Sequence, residues 1–185
     1  MEFFCYHRDR HGSTPLRERM VEQHWSYMDR FAETMIARGP TFAPDGTLTG
    51  SVHVLDLPDV AAARAFAFEE PGWQAGAYRD VLLRRWRNAS GRTMWEFAGG
   101  RPDDAPDTPR YLVLGFTEPS RTAPEVPNGG EVIVGGPLLS DDGSTVLGAA
   151  VLLEAPDADR ARSLLDDATF VAVEAHEWRA GGRSS

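Results

Sequence analysis

The chain contains no lysine, and all 19 of its basic residues are arginine. Without a side-chain primary amine there is no Schiff-base nucleophile and no anchor for pyridoxal phosphate. The lysine of a phosphate-binding P-loop is missing as well. Cysteine is nearly absent: Cys5 stands alone, so no internal disulfide can form and a cytoplasmic protein is the simplest expectation. No apolar run is long enough to span a bilayer. The opening residues Met1 to His7 lack the basic-then-apolar pattern of a secretory signal. G-x-S-x-G, C-x-x-C, G-x-G-x-x-G and H-E-x-x-H do not occur, which leaves hydrolase, redox-disulfide, dinucleotide and zincin readings without support. The formal charge of −9 disfavours nucleic acid and anionic membrane as partners.

What remains is a chain of 185 residues, 42% of them apolar, which suits one ordinary domain or two small ones with a real core. Its most ordered pattern lies between Leu16 and Arg38. Met20, His24, Met28, Phe31 and Met35 recur at steps of four and three, one side of a 3.6-period helix. His24 sits in the middle of that side, and a ring buried there needs a partner. The best candidate lies in Phe68-Glu69-Glu70-Pro71, an acidic pair stopped by proline.

In chain order, Glu2 to Tyr6 is an aromatic, β-prone opening strand, and His7 to Gly12 is a polar loop. The long helix follows and is expected to end at Gly39-Pro40. Strands are expected at Thr41 to Ala43 and Leu48 to Leu57, and a helix opens at Pro58-Asp59 and runs to Phe68. Gly72 to Gly76 is a connector, and Tyr78 to Trp86 alternates as a fourth strand. The order is β-α-β-β-α-β, the split ferredoxin-like unit. Met94 to Phe97 is a possible docking strand, and residues 98–109 are a linker rich in Pro, Gly and Asp.

Beyond the linker the pattern restarts, with strands at Tyr111 to Thr117, Glu131 to Leu139, Val146 to Glu154 and Phe170 to Trp178, and a helix from Pro156-Asp157 to Leu165. Two anchors argue for a duplication. Gly39-Pro40 with Asp45-Gly46 returns as Gly136-Pro137 with Asp142-Gly143, and Pro58-Asp59 returns as Pro156-Asp157. The second copy has only Glu118 to Gly130 between its first two strands, too irregular for a long helix, so it lacks a counterpart of His24. Its acidic pair Asp166-Asp167 has no proline after it. The expected fold is therefore α+β, with two ferredoxin-like halves. Residues 1–97 carry the one competent site, and 110–185 form a degenerate repeat.

The first half resembles a YCII-related (YciI-like) domain. The residues that carry the resemblance are Glu22-Gln23-His24-Trp25-Ser26-Tyr27-Met28, Ala37-Arg38-Gly39-Pro40, Gly50, Glu69-Glu70-Pro71 and Gly76-Ala77-Tyr78. The resemblance implies a dimeric α/β-barrel relative of the ferredoxin-like fold, with two sheets face to face. It also implies an enzyme built on a His–Asp pair, whose histidine matches His24. This chain departs at the acid, since Glu70 precedes the proline where the pattern has aspartate. Relatives include a dehydrochlorinase acting on a hydroxylated aromatic, which points to elimination or proton transfer. One chain would then supply both halves of what is a dimer in shorter relatives, as a pseudo-dimeric monomer or as a true homodimer.

From these residues the expected chemistry is cofactor-independent acid/base catalysis of the lyase, isomerase or cyclase kind. The substrate would be a small aromatic or polyketide-like metabolite, as in bacterial secondary metabolism. His24 would be the acid/base and Glu70 its orienter, with Tyr6, His7, Trp73 and Tyr78 as substrate-binding residues. No metal is expected, because His7-x-x-x-His11 on a loop lacks helical register and an acidic third ligand. His53 and His176, on strands, are expected to be structural. The alternatives are a cofactor-free monooxygenase of the dimeric α/β-barrel type and a non-catalytic small-molecule binding protein.

Overall fold

The computed structural model describes residues 1–102, 106–165 and 168–183. Eight strands carry the fold: β1 (Glu2–Asp9), β2 (Met35–Phe42), β3 (Leu48–Asp56), β4 (Tyr78–Trp86), β5 (Arg110–Ser120), β6 (Val132–Leu139), β7 (Val146–Glu154) and β8 (Ala172–Trp178). Four helices join them: α1 (Thr14–Asp29), α2 (Val60–Phe68), α3 (Pro71–Gln74) and α4 (Ala158–Ser163). The strands close an antiparallel barrel in the order β1-β3-β2-β8-β5-β7-β6-β4. Each half contributes four neighbouring strands, β4-β1-β3-β2 from the first and β8-β5-β7-β6 from the second.

Period-two alternation sorts the side chains into three cores. On β1, Phe4 and Tyr6 point into the barrel with Val52, Val54, Leu112, Leu114, Leu138 and Leu152. Phe3 and Cys5 point outward, where Tyr27 and Met28 of α1 and Ala63, Phe66 and Ala67 of α2 cover them. A third core joins β5, β6 and β7 to α4 through Val113, Val132, Val151, Ala161 and Leu165. Apolar area is thus buried on both faces of the sheet, which is the main force holding strands and helices together.

Two short seams unite the halves, Thr41 with Trp178 on one side and Trp86 with Leu138 on the other. Both seams need a glycine. A Cβ on Gly39 would lie 1.9 Å from the Arg179 carbonyl oxygen, and one on Gly136 would lie 1.8 Å from that of Arg87. The Trp86 indole N–H donates to the Gly136 carbonyl across its seam at 3.0 Å.

Several elements differ from expectation. The long helix stops at Asp29, and Met35 to Pro40 belong to β2. Met35 continues the helical spacing by coincidence, because it reaches the same outer core as Met28 from a strand. Gly39-Pro40 lies inside β2 at the seam instead of ending a helix. His7 lies on β1 instead of in a loop, since the strand continues to Asp9. The connector after Pro71 is a short helix, and Met94–Glu96 is a 3-10 turn rather than a strand. Between β5 and β6 the described chain holds no helix. The pair Asp166-Asp167 and part of the linker, residues 103–105, lie outside the described residues. No helix among the described residues is long and apolar enough to cross a membrane.

Candidate active site

Pro15 pre-sets the first turn of α1, which lies across the outer face of β2 and β3. Tyr27 and Met28 are its buried contacts. One turn earlier the same side presents His24 toward the segment between α2 and α3. There Pro71 disfavours helical geometry at the residue before it, and Glu70 is extended, at φ −59° and ψ 130°. That conformation ends α2 and makes Glu70 the N-cap of α3, with Oε2 accepting from the Trp73 backbone N–H at 2.7 Å. The other oxygen, Oε1, lies 2.8 Å from His24 Nδ1. The carboxylate is fully buried, whereas the His24 side chain remains 17% exposed. Burial pushes the Glu70 carboxyl up, but the His24 hydrogen bond and charge, the His7 field and the Trp73 N–H outweigh it, and the group sits below its usual range. Gly72 makes room, since a Cβ there would lie 3.0 Å from both Glu70 Oε2 and the Tyr78 ring.

The pair borders a cavity of about 360 Å³ between α1, the outer face of β2 and β3, and residues 180–182. Met20, Val21, Trp25, Met28, Pro40 and Leu48 give it apolar walls. With Nδ1 bonded to Glu70, Nε2 is the His24 nitrogen left for a ligand, and no described residue hydrogen-bonds it.

Of the expected site residues, His24, Glu70 and Tyr78 come together on this cavity, and Tyr6, His7 and Trp73 do not line it. Tyr6 is corrected by alternation: it faces the barrel interior, where its hydroxyl is 3.0 Å from Thr41 Oγ1. His7 lies behind the cavity wall, fully buried, and its Nε2–H donates to the Ala67 carbonyl at 2.8 Å. Burial lowers its pKa to about 4, so it is neutral. The Trp73 ring packs on Phe68 at 5.3 Å, and only its backbone N–H serves the site. Tyr78 packs against His7 at 4.7 Å and under the Arg17 guanidinium at 5.0 Å, and burial pushes its hydroxyl pKa up. His11 is exposed in a turn. Among the described residues no group of three His, Cys, Asp or Glu side chains is arranged to hold a metal.

Sequence reasoning read His53 as structural and gave no site role to Arg38, Arg17 or Ser51, and all four also line the cavity. His53 is 2% exposed, its ring centroid is 5.5 Å from that of His24, and its Nδ1 has no partner among the described residues. Burial holds its pKa well below the usual value, and a proton on His24 or His7, or the charge of Arg17 and Arg38, acts the same way. The available signal was the alternation Ser51, His53, Leu55 along β3, which puts these residues on the helix-covered face.

The model of the YCII-related domain matches residues 1–87. No curated protein matches the chain. Among solved structures, the chain is similar to 5-chloro-2-hydroxyhydroquinone dehydrochlorinase from Burkholderia phenoliruptrix AC1100, in complex with 2,5-dihydroxybenzoquinone. The identity is 24% and the TM-score 0.46, over 50% of this chain and 99% of the other. It is also similar to a "putative monooxygenase" from Lactobacillus acidophilus NCFM, with 7% identity and a TM-score of 0.49 over 98% of this chain and 97% of the other.

Proposed function

Residues 1–87 form a YCII-related domain, and from that premise we propose that the chain is a cofactor-independent acid/base enzyme acting on a small aromatic or polyketide-like molecule. The observation that carries the proposal is the 2.8 Å contact between His24 Nδ1 and the buried Glu70 carboxylate at the edge of an apolar cavity. Glu70 fixes the ring and its tautomer and stabilises the imidazolium, while Nε2 takes or gives the proton. A glutamate serves in place of an aspartate because its second oxygen is tied to α3, so the longer side chain is held still. The cavity, at about 360 Å³, fits a ligand of one or two rings. Elimination, isomerisation and cyclisation all begin with such a proton transfer. The two halves are ferredoxin-like copies of one duplicated unit, and the second, without a long first helix, closes the barrel and supplies residues 180–182 to the cavity.

The test is solvent-deuterium exchange into activated C–H positions of hydroxylated aromatics and 1,3-diketones, followed by proton NMR. Wild type is expected to exchange at least one of these faster than buffer. His24→Gln should lose about 100-fold or more of that rate, and Glu70→Gln about 10-fold through loss of ring orientation. An exchange rate unchanged in His24→Gln would refute the proposal in favour of a binding protein.

A further inference from the structure

The cavity carries hydrogen-bond donors that the described residues satisfy only in part. Arg38 on β2 and His53 on β3 are directly opposite each other in the antiparallel register. Cross-strand partners present their side chains on one face, and both residues line the cavity. His53 is almost wholly buried, and its Nδ1 is inaccessible and has no partner among the described residues. An orphaned buried N–H is rarer than an orphaned lone pair, so the single proton of the neutral ring belongs on Nε2. No described residue accepts that proton.

Arg38 is a second donor, met only in part. Its Nε–H donates to the Gly181 carbonyl at 3.2 Å, and the guanidinium lies against the Gly182 backbone and 6.0 Å from the centre of the Trp95 ring, which leaves its Nη groups without an acceptor among the described residues. Among the described residues no carboxylate lies within ion-pair distance of it. The other cavity arginine makes the contrast. Arg17 spends Nη1 on Asp9 and Nη2 on Ser51, at 2.5 and 2.7 Å. The acids of the cavity offer Arg38 no partner either: Glu70 is committed to His24 and the Trp73 N–H, and Glu18 is an exposed rim residue. A half-buried guanidinium that lacks a counterion in a mostly apolar wall awaits an anion.

We propose that Arg38 and His53 form a carboxylate-binding subsite, so that the ligand is a planar aromatic acid whose ring lies against the apolar wall and beside His24. The inference rests on the reading of this cavity as the ligand site of the His24–Glu70 pair, and it adds the substrate class. The free edge of the guanidinium meets a carboxylate in two parallel hydrogen bonds, and His53 Nε2–H donates a third. The 5.5 Å between the His53 and His24 rings is roughly the span of one aromatic ring, which puts the far side of a bound acid within reach of Nε2 of His24.

Binding without turnover separates this inference from the proton-transfer reading. Titration calorimetry would compare 2-naphthoate with its neutral isostere 2-naphthamide on the full-length protein. Wild type is expected to prefer the carboxylate at least tenfold. Arg38→Met should abolish the preference, His53→Phe should reduce it several-fold, and Arg38→Lys should retain part of it, which guards against a folding defect in the methionine variant. Arg64→Gln, an exposed arginine paired with Asp141, serves as the surface-charge control and should leave it intact. Equal affinities in wild type, no binding of either probe, or a preference that survives Arg38→Met overturns the subsite. A preference that holds while deuterium exchange is unaffected by His24→Gln would keep the subsite and remove the acid/base role.

Discussion

His7 and His53 are buried histidines whose burial keeps them neutral. In the unfolded chain such rings take a proton near pH 6.5, whereas folded His7 takes one only near about 4. Between those values the unfolded state binds more protons, so stability falls as pH is lowered through the window and is flat above it. His53 acts with the same sign. Glu70, held below the usual carboxylate range, adds stability above its unfolded pKa that is lost at still lower pH. Urea unfolding at pH 7 and pH 4.5 should therefore differ, with His7 alone accounting for about 2 kcal/mol. His7→Gln, which keeps a donor for the Ala67 carbonyl, should lose less stability on acidification than wild type. An equal loss in both proteins would mean that His7 is not held neutral by the fold.

At the scale of elements, the features readable from sequence were those set by neighbours along the chain. Asp59 and Asp157 cap α2 and α4 through the backbone N–H of Ala62 and Arg160, each at 2.8 Å, and both were marked by a Pro-Asp pair. The strands Tyr78–Trp86 and Val146–Glu154 have the expected bounds to the residue. What failed to show was decided by distant partners. Met35 keeps helical spacing after Met28 although a strand carries it, and Gly39-Pro40 resembles a helix stop although a strand from the other half needs the space. The His24–Glu70 contact was legible because both residues stood out against their surroundings. The opposition of Arg38 and His53 was not, because it depends on β2–β3 register, which no local pattern encodes. The seam glycines give a test. Gly136→Ala, whose Cβ would meet the Arg87 carbonyl oxygen, should cost about 2 kcal/mol or more in urea melts. Gly130→Ala, with open space around it, should stay within about 0.5 kcal/mol of wild type.

At the scale of the whole molecule, two four-stranded sheets share one interior core and close on each other at both seams. An open sheet would offer unpaired edges as templates for association, and closure removes them. Within one chain, β2 pairs with β8 and β6 with β4, so each half uses its second strand to meet the other half's last. Pro40 and Pro137 occupy matching places beside the two seam glycines. This reciprocity is what an isologous dimer of single domains would show, here joined covalently through residues 98–109. The full chain is accordingly expected to sediment at the mass of one polypeptide across the micromolar range. Residues 1–97 alone would expose both seam strands and the inner face of Phe4, Tyr6, Val52, Val54 and Trp86. That fragment should self-associate, with a second copy replacing the missing half. A full-length dimer would mean that the contacts between chains lie outside the seams, and a monomeric, folded 1–97 would mean that the second half is not needed to cover the first.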